Sequence, residues 1–164
     1  MSHPVAEERP TQHGDAMNLL RQEVAEAPGP DAAAQRAVEV LHERFQHYDW
    51  VGVYWLDANG RELVLGPWIG PEATEHTRIP IGTGICGAAA STGQTQIVDD
   101  VNADPRYLAC FASTRSEIVV PIFAEGQVVG EIDIDGNDVG AFDSTDALFL
   151  EEIAALLAPL RPRG

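Results

Sequence analysis

The chain has 164 residues, of which 45% are hydrophobic and 22% charged, and its formal net charge is -16 at pH 7. This length and composition fit one globular domain with a single hydrophobic core. The negative charge argues against nucleic acid and anionic membranes as partners, because binding to phosphate-rich surfaces requires a basic face. All 10 basic residues are arginine, which excludes mechanisms that need a lysine, such as Schiff-base chemistry and phosphate binding by a P-loop.

The N-terminal residues predict a tail that precedes one domain. Residues 1–14 are polar and contain two prolines, so we expect a disordered tail there and a domain over residues 15–161. His3 and His13 fall in this tail and are expected to be solvated. The N-terminus lacks the apolar core of a signal peptide, and no segment is apolar enough to span a membrane. We therefore expect a cytoplasmic protein.

Two amphipathic helices are predicted next. Apolar residues recur at intervals of three or four from Asp15 to Ala27 and from Asp31 to His47, which is the spacing of one helix face. A Pro-Gly-Pro sequence separates the two segments and ends the first helix. His42 and His47 lie off the apolar stripe of the second helix, so both are predicted to lie on the surface.

Two strands are predicted for residues 49–57 and 62–68, which are rich in aromatic and β-branched side chains and are joined by a tight turn. Alternation places Trp50, Gly52 and Tyr54 on one face of the first strand. Because glycine has no side chain, the space between the two aromatic rings could admit a small apolar group. The pattern is therefore compatible with either a ligand pocket or an aromatic core.

A glycine-rich segment at residues 82–93 predicts a short helix with Cys86 in its first turn. The segment lacks the lysine and the spacing of a phosphate-binding loop. A cysteine at this position of a helix is favoured as a thiolate by the helix dipole. Residues 100–115 follow a short strand, show no period and predict a functional loop that contains Cys110. The chain has only these two cysteines, which are either inert core thiols or reactive ones.

A β-hairpin is predicted for residues 116–135, with a three-residue loop at residues 124–126. This register pairs Glu117 with Asp133 and places four acidic side chains on one face of the sheet, namely Glu117, Glu131, Asp133 and Asp135. Like charges directly opposite each other destabilise a sheet by about 0.2–1 kcal/mol, so a purely structural hairpin would not need them. A shift of one residue would separate these side chains, so the acidic face depends on the register.

The fold class follows from the order of the elements. Asp143 and Asp146 are predicted to cap a last helix that ends before Pro162. The chain then consists of two helices, a run of antiparallel strands with a short helix, and a final helix. This order predicts an α+β fold in which a central antiparallel sheet carries helices on one face and pocket loops on the other.

Seven short motifs occur in a characteristic order along residues 15–160. They are D-W-V-G-V-Y near residue 50, L-V-L-G-P at 63–67, R-I-P-I-G-T-G-I-C-G at 78–87, D-V at 100–101, A-C at 109–110, S-E-I-V-V-P at 116–121 and D-I-D at 133–135. This set resembles the free methionine (R)-sulfoxide reductases, which are small GAF proteins of one domain. The resemblance implies a GAF-like fold and an oxidoreductase that reduces free L-methionine (R)-S-oxide to methionine.

The resemblance also implies that the reaction passes through a disulfide. Cys110 matches the position of the nucleophile and Cys86 that of a partner cysteine, although members of the family differ in which cysteine takes which role. A thioredoxin-type reductant would restore both thiols, and no bound cofactor or metal is expected. The oligomeric state is left open, with a homodimer as one option.

Acidic and aromatic side chains are expected to surround the substrate, again by resemblance. Glu117, Asp133 and Asp135 match the acidic residues around the sulfoxide, where they would bind the substrate and donate a proton. Trp50 and Tyr54 match the aromatic wall of the substrate site.

Two positions depart from the family pattern. His76 stands where a third cysteine would fall, and Phe111 follows Cys110 where aspartate is common. His76 could act as a base or cation that activates a cysteine thiol. A zinc site of His76, Cys86 and Cys110 is disfavoured because the spacing contains no paired ligand motif. The alternative to an enzyme is a GAF domain that binds a small molecule as a sensor without turnover.

Overall fold

The computed structural model describes residues 9–109 and 111–162, which form one antiparallel sheet of six strands and four α-helices. The elements are α1 (Arg9–Glu26), α2 (Pro30–Arg44), β1 (Trp50–Leu56), β2 (Glu62–Ile69), β3 (Arg78–Pro80), α3 (Gly84–Thr92), β4 (Gln96–Val98), β5 (Ser116–Ala124), β6 (Gln127–Gly136) and α4 (Ser144–Leu157). The strand order is β3-β2-β1-β6-β5-β4. Helices α1, α2 and α4 pack on one face of the sheet, and α3 packs on the other. The predicted α+β fold is confirmed, and α3 is the helix on the loop side.

The main hydrophobic core lies between the sheet and helices α1, α2 and α4. Strands β5 and β6 contribute β-branched side chains at every second position, and Ile118, Val120, Ile132 and Ile134 are fully buried. Burial of a side chain of this size stabilises the fold by about 1.5–3 kcal/mol. The residues between them point to the opposite face, so the alternation that builds the core also orients the acidic side chains. In the part of the chain that the structure describes, no helix is both long and apolar enough to span a membrane.

The β5–β6 hairpin has a tighter loop than the three residues predicted. Ala124 pairs with Gln127, so the loop consists of Glu125 and Gly126. Both residues have positive φ angles, 55° and 79°, as in a type I′ turn, whose twist matches that of the strands. Glutamate is uncommon in this left-handed region, which is why the sequence favoured a longer loop with glycine alone in that conformation.

A bulge next to the loop sets the register of the rest of the hairpin. The pairing shifts between Ile122 and Phe123, and Glu117 then lies opposite Asp135. The predicted pairing of Glu117 with Asp133 is therefore wrong by two residues. A shift of two residues keeps every side chain on its predicted face, because side chains alternate along a strand.

Helix α1 begins at Arg9 rather than at the predicted Asp15. His13 lies in this helix and is only 6% exposed, and its ring stacks on that of Phe149 with a centroid distance of 4.1 Å. The prediction that His13 is solvated is therefore wrong, because α4 supplies an aromatic surface that covers it. His3 and the rest of residues 1–8 lie outside the described residues.

A buried carboxylate explains why His47 is also buried rather than exposed as predicted. Asp146 of α4 is inaccessible to solvent, and its Oδ1 accepts a hydrogen bond from the Tyr48 hydroxyl at 2.6 Å. The Nε2 atoms of His47 and His13 lie 3.2 Å and 3.8 Å from the same oxygen. Burial acts to raise the pKa of Asp146, but the contacts with His13, His47, Tyr48 and the Asp143 N–H outweigh it and hold that pKa well below its usual range.

Asp146→Asn is expected to lower the free energy of unfolding by about 1–3 kcal/mol near neutral pH, because buried donors lose their charged acceptor. Folding lowers the pKa of Asp146, so the ionised side chain adds to the free energy of unfolding. This addition is complete above the pKa of an unfolded aspartate, about 3.9, and is lost as the pH falls below that value. Urea unfolding should therefore show the difference from wild type narrowing in acid. Asp15→Asn, at an exposed position of α1, is the control and should match wild type throughout. A difference that stays constant with pH would contradict the assignment.

Candidate active site

The loop side of the sheet carries the acidic side chains of β5 and β6 beside aromatic residues of β1. We call Glu117, Glu131, Asp133 and Asp135 the acidic cluster; each is at most 6% exposed. The facing pairs on β1 and β6 are Trp50–Asp135, Gly52–Asp133 and Tyr54–Glu131. The structure therefore brings together the acidic and aromatic residues that the sequence predicted for the site, and their roles in a reaction stay predictions.

Cys86 approaches the acidic cluster from helix α3. It lies in the first turn of this helix, as predicted, and is buried. Its Sγ lies 4.0 Å from Glu117 Oε2, and the sulfur, a Glu117 oxygen and an Asp133 oxygen all lie within 4.8 Å of one another. A Cβ at Gly87 would lie 2.8 Å from the Pro80 carbonyl oxygen, so glycine is required for α3 to begin this close to the preceding strand.

Burial raises the pKa values of three members of the acidic cluster. It is the largest cause for Glu131, Asp133 and Asp135, and the charge of Asp133 adds to it for the other two. Within the described residues, both carboxyl oxygens of Glu131 and one oxygen each of Asp133 and Asp135 have no hydrogen-bond partner. These groups therefore hold protons at pH values at which exposed carboxyl groups have lost theirs.

Cys86 is not activated by its helix, contrary to the prediction from the sequence. Burial is the main cause that raises the pKa of its thiol, and the charges of Asp133, Glu131 and Glu117 raise it further. The dipole at a helix N-terminus is equivalent to about half a positive charge, which is less than the combined effect of burial and three carboxyl groups. The Cys86 side chain is therefore a neutral thiol near neutral pH.

Glu131→Gln is expected to stabilise the fold above the pKa of an unfolded glutamate, about 4.3. Folding raises the pKa of Glu131, so ionisation of this side chain costs free energy in the folded state, and stability is lost as the pH rises through the raised pKa. A glutamine cannot ionise, so the variant should gain at least about 1 kcal/mol in mild alkali, since each pKa unit corresponds to about 1.4 kcal/mol. Thermal and urea unfolding against pH measure this gain.

The control for this prediction is Glu125→Gln, which changes an exposed glutamate at the far end of the same hairpin. Its stability relative to wild type should not vary with pH. If Glu131→Gln lost stability in alkali instead, the Glu131 carboxylate would be stabilised in the folded protein, and the account of the cluster would be wrong.

Trp50 fills the space that the sequence left open above Gly52. A Cβ at Gly52 would lie 2.4 Å from the Trp50 ring, and a Cβ at Gly70 would lie 2.3 Å from it, so the indole lies flat over both glycines. Its Nε1 donates a hydrogen bond to the Glu72 carbonyl oxygen at 3.2 Å. The predicted gap between Trp50 and Tyr54 is therefore occupied by the indole itself.

Trp68 and Phe111 extend the aromatic wall beyond the two residues predicted. The Trp68 ring is nearly parallel to that of Trp50, with a centroid distance of 6.0 Å, and the Phe111 ring lies 5.9 Å from Trp50. Trp68 lies opposite Gly52 across β1 and β2, so strand alternation could have identified it. Phe111 follows no period, and its sequence position carried no such signal.

His76 lies beside the loop that contains Cys110. It is half-buried, its carbonyl oxygen accepts a hydrogen bond from the Tyr54 hydroxyl at 2.8 Å, and its Nε2 lies 3.4 Å from the Ala109 carbonyl oxygen. Cys110 lies outside the described residues, so its role as nucleophile and its activation by His76 stay predictions. The residues on either side of it, Ala109 and Phe111, contact His76 and Trp50 respectively.

A cleft of about 1120 Å³ lies on the helix side of the sheet and is lined by residues of α2, β1 and β2. It contains neither Cys86 nor a member of the acidic cluster. The chemistry-bearing side chains are therefore on the loop side. There, a thiol, carboxyl groups that retain protons and an aromatic wall form a set that can hold a small molecule and protonate it.

Several known proteins are similar to this chain in both sequence and fold. The GAF domain family matches residues 29–159. A free methionine-R-sulfoxide reductase of Saccharomyces cerevisiae is 47% identical over 111 residues, which cover 66% of this chain and 61% of that protein. Among solved structures, the type II free methionine-R-sulfoxide reductase from Thermoplasma acidophilum is 43% identical, with a TM-score of 0.76 and 80% of this chain and 91% of that chain covered.

The free methionine-R-sulfoxide reductase from Neisseria meningitidis, solved in complex with its substrate, is similar over nearly the whole length. It is 38% identical with a TM-score of 0.87, and the match covers 98% of this chain and 93% of that chain. Identity at this level over such coverage shows common ancestry as well as a common fold. The chain therefore belongs to the GAF family and, within it, to the free methionine-R-sulfoxide reductases.

Proposed function

We propose that this chain reduces free L-methionine (R)-S-oxide to methionine, with its two cysteine thiols as the immediate reductant. The observation that carries the proposal is the 4.0 Å approach of Cys86 Sγ to Glu117 Oε2 within the buried acidic cluster. Sulfoxide reduction by this route needs an acid beside a thiol nucleophile, and a second thiol that reacts with the oxidised nucleophile; the position of Cys86 beside the acid suits the second thiol. The family to which the chain belongs supports the same reaction.

The acidic cluster suits a free amino acid. When substrate binds, one carboxyl group of the cluster would ionise to pair with the ammonium group of methionine sulfoxide while another keeps its proton. The rings of Trp50, Trp68 and Phe111 would contact the methyl and methylene groups. Methionine sulfoxide within a peptide has an amide in place of that ammonium group. The site would therefore select the free amino acid.

The first chemical step transfers the sulfoxide oxygen to Cys110. The Cys110 thiolate attacks the sulfoxide sulfur while the acidic cluster donates a proton to the oxygen. The hydroxyl of the resulting adduct then passes to the Cys110 sulfur: an S–O bond to Cys110 forms, the transient S–S bond and the substrate S–O bond break, methionine leaves as the thioether, and Cys110 is oxidised to a sulfenic acid. Burial, which raises the pKa values of Asp133 and Asp135, supports their role as the proton source.

The second step forms a disulfide. Cys86 attacks the sulfenic sulfur of Cys110, an S–S bond forms, and the hydroxyl leaves as water. The Cys86 thiol must lose its proton, and the carboxylate that donated a proton in the first step would take this proton up and pass it to the leaving hydroxyl. A thioredoxin-type dithiol then reduces the disulfide by exchange. We place the reaction in the cytoplasm, because a reducing compartment keeps both thiols available.

A coupled assay with thioredoxin, thioredoxin reductase and NADPH tests this function. Free L-methionine (R)-S-oxide should support NADPH oxidation, whereas the (S) diastereomer and an N-acetylated methionine sulfoxide amide should not. A protein that binds the (R) form without turnover would contradict the proposal and favour the sensor alternative. Equal rates with the acetylated substrate would contradict ammonium binding by the acidic cluster.

A further inference from the structure

Cys86, Glu117 and Asp133 place one sulfur and two carboxyl oxygens around a common point. These three atoms lie within 4.8 Å of one another, and all three side chains are at least nine-tenths buried. The zinc site considered from the sequence combined Cys86 with His76 and Cys110. In the described part of the chain, His76 Nε2 instead faces the Ala109 carbonyl oxygen, and the neighbours of Cys86 are carboxyl groups.

Buried carboxyl oxygens without a hydrogen-bond partner lie next to this point. Glu131 is fully buried, its oxygens have no partner at hydrogen-bond distance among the described residues, and the Cys86 thiol is a group that acts to stabilise its carboxylate. One carboxyl oxygen each of Asp133 and Asp135 also has no hydrogen-bond partner among the described residues. The salt bridges of residues 9–109 and 111–162 include none of these three carboxyl groups. Buried acceptors of this kind are costly unless a proton, a donor or a cation satisfies them.

We propose that Cys86, Glu117 and Asp133 bind a thiophilic divalent cation of the zinc class. Zinc accepts thiolate and carboxylate ligands at about 2.3 Å and about 2.0 Å, which places such ligands about 3.5 Å apart in a tetrahedral site. The Cys86 Sγ–Glu117 Oε2 distance of 4.0 Å is about 0.5 Å longer than this value, so the two ligands would have to move together when the cation binds. The thiol loses its proton when the cation binds. A sulfur ligand favours zinc over magnesium and calcium, which prefer oxygen alone.

The cation and the substrate would exclude each other. This consequence rests on the proposed function, in which the carboxyl groups that would bind the cation also bind the ammonium group and protonate the sulfoxide. A bound cation would also hold the partner thiol as a metal thiolate and keep it from attacking a sulfenic acid. Zinc would therefore act as a reversible inhibitor that a chelator removes.

Cation binding can be measured without turnover. Co²⁺ reports a thiolate ligand through a thiolate-to-metal charge-transfer band, and Zn²⁺ affinity is measured by its displacement of Co²⁺ from the reduced, full-length protein. Wild type, Cys110→Ser and His76→Ala should all show the band. Cys86→Ser should lose the band. Glu117→Gln and Asp133→Asn leave Cys86 in place, so they should keep the band but weaken Zn²⁺ binding by at least about tenfold. Cooperative thermal unfolding of each variant shows that it is folded.

Three results would overturn the proposal. The first is a charge-transfer band that survives in Cys86→Ser, and the second is a band lost in Cys110→Ser, since either assigns the cation to another thiol. The third is Mg²⁺ binding as tight as that of Zn²⁺, because a site with a sulfur ligand would not show it. A protein that binds Zn²⁺ as described but never reduces methionine sulfoxide would retain the cation site and lose only the proposed function.

Discussion

Cys110→Ser is expected to abolish methionine formation from the first turnover, whereas Cys86→Ser is expected to abolish only the turnovers that follow. A serine at position 110 cannot accept the sulfoxide oxygen, so the rate of methionine formation by Cys110→Ser should fall by at least about 10³-fold relative to wild type. Without Cys86, the first oxygen transfer still occurs, but the Cys110 sulfenic acid has no partner thiol within the chain. Rapid-quench measurement of methionine, with protein in excess over substrate, separates the two variants.

The structure supports this division of roles through the state of Cys86. Burial and the neighbouring carboxyl groups raise the pKa of its thiol, which disfavours the thiolate needed for the first attack. Trapping the sulfenic acid with dimedone should label Cys110 in the Cys86→Ser protein. If Cys110→Ser kept its first turnover and Cys86→Ser lost it, the two roles would have to be exchanged.

Asp133→Asn is expected to lower kcat/KM by about 10²–10⁴-fold, the range typical of a lost general acid. Asp133 is buried beside Cys86 and Glu117, and burial raises its pKa. The acid must be protonated to act, so wild-type kcat/KM should fall as the pH rises through the raised pKa values of the cluster. The apparent pKa of this alkaline limb belongs to the cluster as a whole.

In Asp133→Asn, the remaining kcat/KM should also begin to fall at a lower pH than in wild type. Burial is the largest cause of the raised pKa of Asp135, and the charge of Asp133 is the next, so removing that charge lowers the pKa of Asp135. Asp99→Asn, at an exposed position after β4, is the matched control and should retain both the wild-type rate and the wild-type pH profile. A pH profile of Asp133→Asn that superimposes on wild type would assign the proton to another group.

The face of the acidic cluster was predictable from the sequence, although its register was not. Period-two alternation from Glu117 to Asp135 orients the side chains whichever even register the strands adopt. The loop at Glu125 and Gly126 and the bulge after Ile122 each shift the pairing by one residue. The two shifts add, so the predicted pairs are wrong while the predicted face is right.

The buried histidines and the thiol of Cys86 were mispredicted for a shared physical reason. The predictions rest on local features of the sequence, namely the apolar stripe near His47, the polar segment around His13 and the helix start at Cys86. The structure adds groups from distant parts of the chain: Asp146 lies beside both histidines, and the acidic cluster lies beside the thiol. These distant groups determine the burial of the two histidines and the pKa of the thiol, and the local sequence pattern carries no information about them.

Stoichiometric turnover of the reduced protein tests the central claim most directly. Protein freed of reductant is mixed with excess L-methionine (R)-S-oxide, and methionine and free thiols are both measured. Since the chain has two cysteines, we predict one methionine formed and both thiols lost per chain, with a Cys86–Cys110 disulfide found by peptide mapping. Methionine formed without loss of thiols, or no methionine from a folded and reduced protein, would contradict the account.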